Sequence, residues 1–543
     1  LKRLLLVSAA VALAVPFGLR NQSARAQGKN ADTIVIGFTD ALTDLDYADD
    51  YSTHGWEIFQ NIGEGLLKYK PNSTQVEPGI ATVMPTISTD GLTYTFTLLD
   101  NLQFADGTSL TAQTVVDSVN RTIKLKGQDS GIVTNYVDSV SAPDAKTVVF
   151  KLKGKTGLFT SLVALPPYYP VNPKQFTADA FNKFPASIDG NGPYRLVSYK
   201  PKDQAVLAAN PKYHGAQPIT PNIIIRYYQD ATHLATAIQS GEIDVAWRAL
   251  ATSDVVQFKK DTGYTVYTVP AGGLRYLVFN HQIAPFDNLQ VRQAIASLID
   301  RNEIIDRGFQ GQVKPLYSIL PDSYLGGVPA FKTAYNSPQI NKAVDLLKQA
   351  GYTAANPLKI DFWWPIAHYG VDISPIIKEQ LERSGVIQVS VKTAEWSTYV
   401  PAFGKGGYGF YLLGWFPSYA DPDDIIASWG TSTSNGKLGV NYANPQLDTL
   451  ISQARESSDQ AQRATLYQQA QQIWAQDVVT IPLVVVGEYT VTKTGTIIGA
   501  DQVGAPLVMF YSVLAKPIGG VTASATMAAT GGATMSATMA ATK

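Results

Sequence analysis

No cysteine occurs anywhere in the 543 residues. Its absence excludes disulfides, thiolate metal sites, cysteine nucleophiles and a lipidated N-terminal cysteine. Histidine is also scarce, and His54, His214, His233, His281 and His368 show no metal-ligand spacing. With neither HExxH nor cysteine, no dedicated zinc or nickel cage is expected. Charge is thin: 16% of residues are charged and the net charge is −1. There is no basic field to hold nucleic acid or an anionic membrane, so neither is expected as a partner. Phosphate-cradling patterns are missing too. Gly272-Gly273 has neither the GxGxxG nor the GxxxxGK[ST] spacing, and no G-x-S-x-G elbow occurs. No cofactor is expected.

What is present is a globular composition rich in aromatics: 45% hydrophobic residues, with Tyr 28, Trp 8 and Phe 20. The chain is too long for one core, so two or three domains are expected. Lys2-Arg3, an apolar run from Leu4 to Leu19 and Ala24-Arg25-Ala26 follow the basic, apolar, small-residue order of a secretory signal. Residues 1–26 read as a signal peptide cleaved before Gln27. The alternative, a membrane anchor, is disfavoured because the run is short and broken by Pro16 and Gly18. The mature protein is expected to be secreted, periplasmic or extracytoplasmic, and not a lipoprotein. At the other end, Ser524–Thr530 recurs as Ser536–Thr542. A small-residue repeat cannot bury enough surface to fold, so 519–543 reads as a disordered tail.

Between these ends the chain alternates strands and helices. Thr33–Phe38 reads as a buried strand, followed by an acidic, aromatic loop from Asp40 to Tyr51. A helix carrying Trp56, Phe59, Ile62 and Leu66 is expected to end near Gly65. Tyr94–Leu98 and Asp144–Leu152 read as strands, with a helix capped by Thr111 between them. Asn191–Leu196 restarts β structure. Ile223–Tyr227, a helix from Thr232 stopped by Gly241, and Ile243–Trp247 make a parallel βαβ unit. Arg275–Asn280 opens a second α/β block, with an amphipathic helix through Val291, Ala294, Ile295 and Leu298. Ser337-Pro338 and Asn444-Pro445 each place a cap before a helix-starting proline. A helix with Leu466, Ala470, Ile473 and Trp474 precedes the apolar strand Ile481–Val486.

The most informative stretch is Gly414–Asp424. An apolar strand, Phe410–Leu413, ends at Gly414 and runs at once into Trp415 and Phe416. Pro417 and Pro422 keep the segment out of helix until Asp423 or Asp424 caps Ile425–Trp429. A rigid loop of flat side chains and carboxylates at a strand end is where open α/β sheets bind ligands. The alternative is a turn with solvated acids and a core tryptophan. Asp421, Asp423 and Asp424 lack the glycine and terminal glutamate of an EF-hand. Asp421 with Asp423 is the obvious carboxylate pair for a secreted hydrolase, yet adjacent loop acids more often cap helices. A non-enzymatic role is expected.

Several runs, taken in order, resemble the family 5 extracellular solute-binding proteins, the peptide/nickel/opine class of ABC importers. They are Glu64-Gly65-Leu66-Leu67, Asp90–Phe96, Phe104-Ala105-Asp106-Gly107, Asn191-Gly192-Pro193-Tyr194, Ser240–Asp244, Phe286–Ala294 and Gly414–Asp423. The resemblance implies an α/β, two-lobed periplasmic-binding-protein type II fold with an inserted third α+β domain and the ligand cleft between lobes. Mapped here, lobe I is 32–66, 191–277 and 481–518, the insert 67–190, and lobe II 278–480. It implies a monomeric receptor that closes on a peptide or neutral oligomeric solute and delivers it to a membrane permease and its ATPase. The ligand-binding candidates are Trp415, Phe416, Ser418, Tyr419, Asp421, Trp396, Phe403 and Tyr47. Peptide binders of the family usually carry an acid at the position of Ser418, for the peptide ammonium. Oligopeptide binders carry arginines where this chain has Phe403 and Leu412. These departures leave an uncharged ligand, such as an apolar or blocked peptide or a sugar oligomer, as the expectation beside the family's peptides.

Overall fold

The computed structural model describes residues 31–517, apart from 40, 41, 43, 51, 129, 367–370, 505 and 506. The expected signal peptide and tail, and His368, lie outside the described residues. One sheet of eleven strands runs through the molecule. Its strands are β1 (Thr33–Phe38), β2 (Tyr194–Lys200), β3 (Gln204–Ala209), β4 (Asn222–Tyr227), β5 (Val245–Trp247), β6 (Tyr264–Phe279), β7 (Leu358–Pro365), β8 (Ile387–Ala394), β9 (Phe410–Trp415) and β10 (Thr480–Lys493), with the two-residue strand Lys314–Pro315 added on β10. Their order is β8-β7-β9-β6-β10-β5-β1-β4-β3-β2.

The expected βαβ unit is present: β4 and β5 both run parallel to β1, which lies between them. The connecting helix Ala231–Ser240 ends at Gly241, whose φ of 74° is the left-handed value a glycine C-cap supplies. In the other half, β7 is parallel to β8 and β9.

The two halves are joined by β6 and β10, which are far longer than the short strands read at Arg275–Asn280 and Ile481–Val486. The first part of β6, Tyr264–Val269, pairs with Glu488–Lys493; the second, Gly273–Val278, pairs with Thr480–Val486. Between them residues 270–272 stand opposite Gly487 alone, a bulge that locally disrupts the ladder and re-aims the strands. β6 thus carries the chain across and β10 returns it.

Packing follows the same division. Apolar residues from Leu274 to Val484 form one cluster. A second gathers β1, the segment from Tyr69 to Phe176, Tyr194–Ile225 and Val503–Leu514. Residues 67–190 have their own four-stranded sheet, including Thr93–Thr97 and Thr147–Leu152, yet share this apolar core with β1.

Several local expectations shift. Helix α1 (Thr53–Ile62) ends at Gly63, not near Gly65, because the Ile62 carbonyl is taken by the Gly192 N–H at 2.9 Å. The strand after Asp144 begins only at Thr147, since the Asp144 carboxylate accepts from the Lys146 and Thr147 N–H groups and makes a turn. The helix after Ser337-Pro338 starts at Ile340. Asn444 caps as expected, accepting from the Gln446 and Leu447 N–H groups. Helix α2 (Pro422–Gly430) has Pro422 at its first position, and its N-cap is Asp421 rather than Asp423 or Asp424. Among the described residues, no helix is long and apolar enough to cross a membrane.

Candidate ligand site

β9 ends at Trp415, so the Phe416–Ser418 turn projects from the strand end toward the other half. There it meets α1 and the C-terminal segment. Phe416, Pro417 and Ser418 enclose a cavity of about 190 Å³ with Ser52, Thr53, Trp56, Leu507 and Val508. The walls come from three separate chain segments, and the turn is the contribution from the second half. Phe416 is 47% exposed. Its ring lies over β6: a Cβ on Gly273 would come within 2.7 Å of it, so glycine is needed there for the two to approach. The Arg275 guanidinium sits 5.5 Å from the ring centre, in cation–π range.

The loop is held from beneath by its own acids. The Asp424 carboxylate accepts from Trp415 Nε1 at 2.8 Å and from the Ser418 N–H at 3.2 Å, fixing both ends of the turn. Burial pushes this carboxyl up to about 7, with the two donors pulling the other way. Asp423 is also raised by burial, and pairs with Arg455 at 3.0 Å. Asp421 caps α2 and pairs with buried Arg463 at 2.7 Å. The carboxylates considered for a hydrolase are therefore each engaged by an arginine, and Asp421 serves the helix N-terminus as well.

The opposite wall is anchored by α1. Trp56 donates its indole N–H to the Asp50 carbonyl at 2.7 Å. Beneath it, fully buried Glu57 accepts from Trp247 Nε1 at 2.9 Å and from the Tyr511 hydroxyl at 2.6 Å, which ties α1 to β5 and to the segment carrying Leu507 and Val508. Burial pushes Glu57 up to about 7, and nearby Arg248 opposes the shift. His54, paired with the Tyr227 hydroxyl at 3.1 Å, is held well below the usual histidine range by burial.

The expected ligand residues divide by location. Phe416 and Ser418 line the cavity. Trp415 is adjacent and half-buried, edge-on to Trp429 with centroids 5.9 Å apart. Trp396 is half-buried on its own helix, stacked 5.9 Å from Tyr399. Neither tryptophan lines the cavity, and nor do the other four. Tyr47 is buried, stacked 4.0 Å from Phe59, and Phe403 is buried against Tyr411 at 5.7 Å. Tyr419 is packed into the core shared by β1 and the insert, and Asp421 is consumed by its cap and arginine. In each case an aromatic or acid legible as a surface group finds more partners inside. Trp56, Leu507 and Val508 were not among the expected residues. Trp56 reads as one position of an amphipathic helix, and 507–508 reach the site only through tertiary folding.

Comparison with known proteins agrees with the fold. Residues 75–437 match the family described as bacterial extracellular solute-binding proteins, family 5 (Middle), so the chain belongs to that family. Its function is that of the solute-binding component of an ABC importer. It is 29% identical over 464 residues to the probable D,D-dipeptide-binding periplasmic protein of Escherichia coli K12, covering 82% of this chain and 87% of that one. It is 25% identical over 508 residues to the periplasmic oligopeptide-binding protein of Salmonella typhimurium, covering 89% and 91%. Among solved structures, the unliganded open form of the murein tripeptide-binding protein MppA superposes with a TM-score of 0.76 at 23% identity, covering 90% of this chain and 98% of that one. NikA from Brucella suis in complex with Fe(III)-EDTA gives 0.77 at 22% identity, covering 89% and 100%. At that identity, what is shared is the fold, and the fold serves very different ligands.

Proposed function

We propose that this chain captures a short peptide in the cleft between its two halves and presents it, closed, to a membrane permease and ATPase. The observation that carries the proposal is the cavity between Phe416–Ser418 and Trp56, on opposite sides of a two-strand hinge. Relatives named for dipeptide, oligopeptide and tripeptide binding support the ligand class. At about 190 Å³ the space is below the roughly 300–1,000 Å³ of drug-sized sites, so a peptide of a few residues extends from it along the cleft. Lobe I is taken as 32–66, 191–277 and 481–518, the insert as 67–190 and lobe II as 278–480, and the receptor acts as a monomer after export.

We propose further that the peptide's N-terminus is not held by a loop carboxylate. Ser418 offers a hydroxyl, and Asp421, Asp423 and Asp424 are already engaged. Recognition at this turn then comes from aromatic surface and neutral hydrogen bonds, without a charge-assisted bond of about twice the strength. Calorimetry with a free apolar dipeptide, its N-acetylated form and an oligosaccharide tests both statements. The reading expects the two peptides to bind within a few-fold of each other and the sugar not to bind. Sugar binding without peptide binding contradicts the ligand class; loss of binding on acetylation contradicts the neutral anchor.

A further inference from the structure

The loop that faces the cavity has a second half, and it points elsewhere. Phe416–Ser418 face α1, but Tyr419 leaves the second half of the molecule and packs into the core shared by β1 and the insert. It is 9% exposed there. The Tyr69 hydroxyl, which donates to the Ser161 carbonyl at 3.1 Å, sits beside the Ala420 backbone. The Tyr136 phenol lies against Tyr419, Asp423 and Arg455. Nearby, the Gly157 N–H donates to the Arg455 carbonyl at 2.7 Å, joining the insert directly to helix α3 (Pro445–Glu456). Contact at Gly157 is so close that a Cβ there would lie 2.1 Å from the Ser457 carbonyl oxygen. Backbone atoms cannot yield as a side-chain tip can, so a larger residue at 157 is incompatible with this arrangement.

The junction is nevertheless unlike a core. It leaves an open recess of about 460 Å³, lined by Asn135, Lys155 and Thr156 from the insert and by Asp423, Ser428 and Arg455 from the facing helices. An open recess with so polar a lining is unlike a close-packed interior, whereas surfaces that meet and part are wetter and more polar. The insert's other side is continuous with the apolar core around β1, so it travels with the first half.

We propose that the face of the insert bearing Tyr69, Tyr136 and Gly157 is a closure surface, which grips Tyr419–Ala420 and α3 and so holds the ligand-facing turn over the cleft. The insert then contributes to closure without touching the ligand. Tyr136 and Gly157 act as positioning residues for Phe416–Ser418. The inference rests on the reading that the two halves close around the hinge, but not on the identity of the ligand. Part of the closed state's stability is built into the protein, so it is present before ligand binds and adds to the ligand's own preference for that state.

The absence of cysteine makes the test direct. Asp138→Cys on the insert and Lys348→Cys on the second half provide unique spin-label sites, and pulsed electron resonance reads the distance between them without ligand. Gly157→Val is expected to shift the population toward longer distances. Gly154→Val, in the same loop with nothing within 4 Å of its Cβ, is expected to leave it unchanged. Tyr136→Ala, which adds no bulk, is expected to shift the distance in the same direction as Gly157→Val and serves if that variant does not fold. With trialanine as probe, a tenfold loss of the closed population lowers apparent affinity about tenfold. An unchanged distance in both Gly157→Val and Tyr136→Ala overturns the proposal, as does an equal shift in Gly154→Val. Failure of trialanine to bind the unmodified protein bears on the peptide reading alone, because the ligand-free distances still decide the closure surface.

Discussion

Asp424→Asn isolates the carboxyl that fixes the ligand-facing turn. The side chain is buried and its carboxyl is pushed from 3.8 up to about 7. At 1.36 kcal/mol per unit, ionising it in the folded protein costs about 4 kcal/mol more than in the unfolded chain, an upper figure because buried sites relax. The sign follows from proton counting. Between about pH 4 and pH 7 the native state keeps a proton that the unfolded state has lost, so this group's contribution falls as pH rises, by up to about 1.4 kcal/mol per unit. Asparagine has no proton to lose, and its Oδ1 still accepts from Trp415 Nε1 and the Ser418 N–H. Chemical denaturation from pH 4.5 to 8.5 is the assay. Near pH 4.5 the two proteins should be closely matched; above pH 7 the variant should be more stable, by about 2–4 kcal/mol. Glu57, also pushed up to about 7, contributes equally to both proteins and cancels in the difference. Parallel stability curves across the whole range would refute the assignment of a buried, protonatable Asp424.

Further expectations follow from the same contacts. Arg463→Ala leaves Asp421 buried without its cation and should cost about 3–5 kcal/mol of stability, read by denaturation. Trp415→Ala, which removes one of the two Asp424 donors and the support beside the cavity, should weaken binding of an apolar dipeptide by about 1–3 kcal/mol in calorimetry; unchanged binding with lower stability would make Trp415 a core residue only. Gly273→Ala should displace the Phe416 ring, seen as a loss of peptide affinity with little change in melting temperature. Ser418→Asp should improve binding of free peptides over N-acetylated ones, and equal effects on both would show that Ser418 points away from the ligand.

Much of the fold was legible because it rests on local signals. The alternation of β1 and β4, the Gly241 cap and the Asn444-Pro445 start depend on residues that are neighbours in the chain. The hinge was not legible. β6 and β10 carry a bulge at 270–272 and a Gly-Gly pair, which break any single periodicity, so only their apolar ends read as strands. The site was half legible. Phe416 and Ser418 stand at a strand end, where open sheets place ligand contacts, and both line the cavity. Asp421, Asp423 and Asp424 could not be sorted from chain spacing alone, since Arg455 and Arg463 reach them from helices α3 and α4 (Gln460–Asp477). Tyr47 and Phe403 illustrate the same limit: an aromatic suited to a wall is equally suited to a core, and only packing decides.

The central claim is that the cleft at Phe416–Ser418 holds a short peptide. Native mass spectrometry of the protein purified without refolding, compared with the same protein after unfolding and dialysis, tests it most directly. The account predicts a mass excess in the first sample that fragments as peptides of a few residues, and its loss in Phe416→Ala. An excess that fragments as a sugar, or a peptide excess retained undiminished in Phe416→Ala, would contradict it.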